Sequence, residues 1–171
     1  MSIFEDYECP YCKGIALPAE GDKDSPIILV GNAPNVDEIK AGMLGAGASY
    51  YILRQEFQFM GYNIDNFRYT NLWLHKANGN NQCEMYSIEK CISEISGRKA
   101  VLLMGAEPVE YFTEWKVMDV CGLQVTSNML SVPIIYGCIS PAKVIQRDET
   151  VGELRLALTK FIKRCRKDEI L

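Results

Sequence analysis

Apolar residues follow two rhythms along this chain. Short unbroken runs, Ile27-Ile28-Leu29-Val30 and Val101-Leu102-Leu103-Met104, are what strands buried on both faces require. They predict strands at Ile27 to Val30 and at Ala100 to Met104, the second closed by Gly105. Two further β-rich segments, Phe67 to Leu72 and Val132 to Cys138, read the same way. Between these runs the spacing becomes helical. Tyr51, Ile52, Gln55 and Phe59 predict a helix over Ala48 to Phe59; Ile88, Cys91, Ile92 and Ile95 predict one over Ser87 to Ser96. Leu154, Leu158, Phe161 and Ile162 predict a long amphipathic helix from Thr150 to Arg166. Glu107 to Trp115 carries Pro108 in its first turn, where a missing N–H costs little.

Strands alternating with helices from end to end, without internal repeat, predict one α/β domain. Its expected form is three layers, α/β/α, around a central and mainly parallel sheet. Ligands of such sheets bind beyond the carboxyl ends of the strands. Those ends here carry Gly31 to Asn35, Asn71 to His75, Gly105-Ala106 and Ser140-Pro141, so one site can draw on four loops. A polar stretch, Gly14 to Pro26, precedes the first strand and sets residues 1–25 apart as an extension packed on the domain.

Composition narrows the class. The 171 residues are 48% hydrophobic and 23% charged, a folded globular mix in which disulfides are not needed to hold a core. No apolar run nears the roughly 18 residues of a membrane span, and the acidic start lacks a signal-peptide core. A soluble, intracellular monomer is expected. Seven cysteines in such a chain should be thiols or metal ligands. A net charge of −4 argues against nucleic-acid binding by bulk positive charge and leaves only local basic patches. These are Arg54, Arg68, His75-Lys76, Arg98-Lys99, Lys143 to Arg147 and the tail Lys160 to Lys167, the last a solvated helix end suited to its dipole.

Cys9-Pro10-Tyr11-Cys12 is the first candidate for chemistry. As a redox pair it should follow a strand and open a helix that lowers the first thiol's pKa. Gly14 and Pro18 come next instead, and the strand lies later. A loop knuckle offering two thiolates to a metal suits this context better. Its remaining ligands must come from His75, Cys83 and Cys91.

Four segments in order, Gly31-Asn32-Ala33-Pro34, Thr70-Asn71-Leu72-Trp73-Leu74-His75, Leu103-Met104-Gly105-Ala106 and Ser140-Pro141-Ala142-Lys143-Val144-Ile145-Gln146-Arg147, resemble the uracil-DNA glycosylase superfamily. The resemblance is to its iron–sulfur family 4 branch and covers Cys9 to about Lys163. It implies a uracil-DNA glycosylase-like fold, DNA as partner, and excision of uracil or another modified base by N-glycosidic hydrolysis. It also implies a [4Fe–4S] cluster held by Cys9, Cys12, His75 and Cys91. Zinc in a Cys3His site is the alternative cofactor, and Cys83 is an alternative third ligand at a spacing the family does not use.

The resemblance further implies that Asn71 reads the extruded base, since a carboxamide offers an acceptor and donors to N3–H and O4 of uracil. Ala33, Pro34, Met43 and Leu44 would complete the base pocket, with Lys76, Pro141, Lys143 and Arg147 on the DNA. Both catalytic positions depart from the pattern. Asn32 stands where the family has a water-activating glutamate, and Ser140 where it has a histidine that supports the departing base. An aromatic of the family's base pocket is replaced in Gly42-Met43-Leu44-Gly45. Loss of a general base costs ~10²–10⁴ in rate, and loss of one donor to the developing anion roughly 10²–10³. A weak or inactive glycosylase-fold protein, serving DNA binding or a replication or repair partner, is therefore the alternative function.

Overall fold

A computed structural model describes residues 8–76 and 79–171. Six strands form one sheet: β1 (Glu20–Gly21), β2 (Ile27–Gly31), β3 (Arg68–Asn71), β4 (Ala100–Met104), β5 (Gln124–Val125) and β6 (Ile134–Cys138). Their order across the sheet is β1-β3-β2-β4-β6-β5. The four inner strands run parallel, with Leu29 of β2 opposite both Tyr69 and Leu102. The two-residue edge strands are antiparallel. Every residue of β2 and β4 is buried, as their unbroken apolar runs predict.

Among the described residues, seven α-helices flank the strands: α1 (Val36–Ala41), α2 (Ala48–Phe59), α3 (Asn81–Ile95), α4 (Ala106–Thr113), α5 (Val117–Val120), α6 (Pro141–Gln146) and α7 (Val151–Lys167). Alternation along the strands divides the core in two. Ile27, Leu29, Leu102 and Met104 face α2 and α7, whose Leu53, Phe57, Leu158 and Phe161 fill that layer. Ile28, Val30, Val101 and Leu103 face α3 and α4 through Cys91, Ile95, Val109 and Phe112. The sheet is thus covered on both sides, and the three-layer expectation holds at this level of description. Among the described residues no helix is long and apolar enough to cross a membrane.

The long elements lie where the sequence pattern puts them, but the face of α2 does not: Tyr51 and Phe59 are exposed, and Tyr50, Leu53 and Phe57 turn inward instead, since aromatic residues on both sides of the helix leave its phase to packing. Short elements escape the pattern. Helix α3 begins at Asn81, well before Ser87, because Asn80 caps it by accepting from the Gln82 N–H. Its first turns are polar and partly exposed, so periodicity does not reveal them. Helix α1 is too short for periodicity and rests on its cap. Asn35 accepts from the Glu38 N–H at 2.9 Å while the Glu38 carboxylate accepts from the Asn35 N–H at 3.0 Å, a reciprocal capping box. Helix α6 likewise depends on Ser140, which accepts from the Ala142 N–H at 3.2 Å, and on Pro141 at its first position.

The first described residues are tied to the domain. Glu8 and Ile15 form an antiparallel bridge, the Leu17 N–H donates to the Leu74 carbonyl at 2.9 Å, and β1 lengthens the sheet beyond β3.

Candidate metal centre and strand-end cleft

Cys9-Pro10-Tyr11-Cys12 folds as a knuckle. The Cys9 N–H donates to the Gly14 carbonyl at 2.8 Å and the Lys13 N–H to the Cys9 carbonyl at 3.0 Å. Lys13 takes up a left-handed conformation, φ 61°, to close the turn. Gly14 follows because a β-carbon there would stand 3.3 Å from the Cys12 sulfur. The turn directs both thiols at the segment after β3 and at the first turn of α3. There the ligand atoms of Cys9, Cys12, His75 and Cys83 all lie within 4.8 Å of one another. Cys9 Sγ is 3.7 Å from Cys83 Sγ, and Cys12 Sγ is 3.7 Å from His75 Nε2. His75 Nδ1 lies 2.9 Å from the Lys76 carbonyl. A carbonyl only accepts, so that nitrogen carries the proton and Nε2 turns its lone pair to the sulfurs. The group can hold a metal ion.

Cys91 stands apart from this group, and the ligand set implied by the resemblance needs that correction. It packs beside Ile95, Val101 and Phe112, where burial first and the Glu94 charge second push its thiol up to about 12. Helical phase accounts for the difference. Cys83 and Cys91 lie eight positions apart, about 12 Å along the axis and roughly 80° around it. Once Cys91 and Ile95, one turn apart, face the sheet, only Cys83 in the first turn can reach the knuckle. The sequence offered Cys83 as a candidate; it could not show that α3 starts early enough to carry it.

A second site opens where β2, β3 and β6 end. Asn32, Ala33, Asn71, Ser140 and Pro141 line one cleft of about 160 Å³, together with Tyr69, Glu38 and Met104. Asn71, the last residue of β3, is buried, and its Nδ2 has no hydrogen-bond partner. The Tyr69 hydroxyl approaches its Oδ1 at 3.5 Å. Asn32 donates through Nδ2 to Glu107 at 3.0 Å, while its own Oδ1 is buried and unpartnered. Gly31 makes this approach feasible: a β-carbon there would fall 2.4 Å from Asn71 Oδ1.

Other residues expected in the base pocket lie elsewhere. Leu44 is a core residue beside Tyr50 and Phe57. Met43 is exposed and Pro34 buried, and neither is among the cleft's lining residues. The aromatic wall is instead Tyr69, whose phenol is pushed far upward by burial, with the Glu38 and Tyr50 charges adding to the shift. Its signal was available in the sequence. Tyr69 precedes Asn71 by two on a strand, so both point to one face. Glu38 lies outside the motif segments, and its oxygens are engaged by the Asn35 and Gly45 N–H groups at 3.0 and 2.9 Å. Of the expected DNA contacts, Lys76 and Arg147 are exposed and Pro141 is buried. Lys143 lies part-buried with its ammonium 3.5 Å from the Met118 sulfur. Comparison with known proteins finds no matching family model and no matching curated protein.

Proposed function

We propose that the protein binds DNA and takes one extruded base into the cleft between the ends of β2, β3 and β6, in the manner of the uracil-DNA glycosylase superfamily its sequence resembles. One observation carries this reading. A buried donor, Asn71 Nδ2, and a buried acceptor, Asn32 Oδ1, lack partners in the same cleft. Unsatisfied buried polar atoms cost about 1–3 kcal/mol each, a cost that a ligand with complementary polar edges relieves. The cleft volume of about 160 Å³ equals roughly five waters at about 30 Å³ each, room for one planar pyrimidine. Asn71 Nδ2 suits the O4 of uracil and its Oδ1 the N3–H, with the Tyr69 ring as a wall. Asn32 orients water through Oδ1, and the Ser140 hydroxyl, whose oxygen accepts from the Ala142 N–H, keeps its O–H to donate a hydrogen bond to the departing base. Hydrolysis by this set is slow, since neither residue replaces a carboxylate or an imidazole.

A second reading, a DNA-binding or replication accessory protein without excision, is favoured by Glu38. It is the carboxylate lining the cleft, and backbone amides take both its oxygens. One experiment separates the two. Single-stranded DNA with one uracil is titrated at several salt concentrations, then assayed for abasic product. Salt-weakened binding, tighter than to the same strand with an abasic site, is expected, with slow product formation. Binding without product selects the second reading; no binding removes both.

We infer further that the metal is a single tetrahedral zinc ion held by Cys9, Cys12, His75 and Cys83. A Zn–S bond of about 2.3 Å sets tetrahedral edges of roughly 3.8 Å, and the two close ligand pairs stand 3.7 Å apart. A [4Fe–4S] cluster joins each ligand to a different iron, which spreads the ligand atoms around the whole cluster; the compact set does not suit it. Bound zinc would be structural, fastening the knuckle to α3. Purified protein should be colourless with one zinc per chain by elemental analysis. Brown protein absorbing near roughly 400 nm would restore the cluster.

A further inference from the structure

From β2 the chain passes through α1 into α2, which packs on one face of the sheet, while α4, which directly follows β4, packs on the other. Since β2 and β4 are neighbours, the chain leaves the sheet in opposite directions there, and a crevice opens between the two strand ends. Glu107, in the first turn of α4, bridges it. One carboxylate oxygen accepts from Asn32 Nδ2 at 3.0 Å, the other from Trp73 Nε1 at 2.6 Å. The indole is in turn set edge-on against Tyr111 of α4, 6.4 Å between ring centres.

A carboxamide alone can sit either way round, with oxygen and nitrogen exchanged. A carboxylate beside it removes the choice, because ionised oxygens accept and never donate. The nitrogen must face Glu107, which leaves Oδ1 as the buried, unpartnered atom of a residue that lines the cleft. The Trp73 N–H holds the carboxylate from its other side, so Glu107 is itself fixed.

We propose that Glu107 is a positioning residue that, braced by Trp73, locks the Asn32 carboxamide with its oxygen turned to the water that attacks C1′. This rests on the base-excision reading above. In that reaction the water oxygen bonds to C1′ and the C1′–N bond breaks with its electron pair passing to the base. The attacking water's proton goes to solvent, and the base anion is protonated from solvent. Asn32 accepts a hydrogen bond throughout and takes no proton. Glu107 touches neither water nor base; it acts through Asn32. The chain thereby retains a carboxylate next to the position where the family carries one, separated from the water by an amide.

The test is single-turnover release of uracil from single-stranded DNA by native protein, Glu107→Gln, Asn32→Ala and the double variant. Glutamine can offer its N–H to Asn32 and so permits the flipped amide. Glu107→Gln should lower the rate at saturating protein at least tenfold and change the concentration dependence less than twofold. It should have no further effect on the Asn32→Ala background, the non-additivity of residues acting as one unit. An unchanged rate, or an equal loss on both backgrounds, overturns the proposal. A native protein inert on uracil DNA removes the excision reading itself. The lock is then decided by the Asn32 side-chain ¹⁵N–¹H₂ resonances, which should move in Glu107→Gln and in Trp73→Phe; unmoved resonances overturn it.

Discussion

The cysteine–histidine corner and the strand-end cleft both bury polar atoms, and they satisfy those atoms in opposite ways. At the corner, four ligand atoms converge on one another and the histidine's second nitrogen is bonded to a backbone carbonyl. A closed set of four is the mark of a structural metal site. In the cleft, Asn32 Oδ1 and Asn71 Nδ2 are buried with nothing to meet. The corner's ligand atoms meet one another within the chain; the cleft's two buried polar atoms do not. Converging thiolates and an imidazole suit a metal ion, and unpartnered polar atoms in a cleft suit a polar ligand.

The strongest way to break this contrast is to exchange the roles of two cysteines on one helix. Cys83→Ala should abolish stoichiometric metal and destabilise the protein by at least about 3 kcal/mol, since metal binding is folding free energy. Cys91→Ala should keep the metal and cost only about 1–2 kcal/mol for a small core void. Metal analysis with denaturant unfolding checks both. If Cys91→Ala releases the metal while Cys83→Ala retains it, the ligand set is that of the resemblance after all.

The next effect sharpens the cleft side. Asn71→Leu removes an unsatisfied buried donor together with the long, weak 3.5 Å acceptor of the Tyr69 hydroxyl, so stability should fall by no more than about 2 kcal/mol. Affinity for uracil-bearing over abasic DNA should fall at least tenfold, about 1.4 kcal/mol. Thermal unfolding and fluorescence anisotropy measure the two. A large stability loss would mean that Asn71 is structural and that the cleft resembles the corner.

The smallest effect concerns cysteines outside both sites. Burial pushes the Cys91 and Cys165 thiols up to about 12 from 9.0. Their folded pKa values lie above the unfolded ones, so their contribution is complete below about pH 9. It declines as pH rises from there towards about 12, because the unfolded chain releases its protons first. Near pH 10 the loss should be about 1 kcal/mol per thiol. Cys165→Ala should flatten the alkaline limb of a stability–pH profile. An unchanged limb would show that this thiol is not desolvated.

Much of the architecture was legible because it rests on local rules. The unbroken apolar runs of β2 and β4 can be stable only between two helix layers, and α7 displays its buried stripe directly; α2 does not, because its aromatic residues occur on both faces and packing inverts the expected one. Strand ends then locate the cleft, and Asn32, Asn71 and Ser140 were named from loops that do meet there. Four-residue and two-residue elements such as α5 and β5 carry too little pattern to be read; packing alone selects them. Tyr69 belongs to no motif, and only the period of two along β3, which puts it on the same face as Asn71, marks it in the sequence.

The amino-acid order therefore dictates which residues are buried, which faces they share and where the chain turns, since these follow from periodicity and capping within a few residues. It also dictates that Cys9 and Cys12 point together, through the tight turn at Lys13-Gly14. Only the folded molecule decides between Cys83 and Cys91, because the choice depends on where α3 begins and which of its faces the sheet occupies. The same holds for Glu107 and Asn32, 75 positions apart in the chain. They meet solely because β2 and β4 are neighbours whose helices leave on opposite sides, a relation in space that no local pattern encodes.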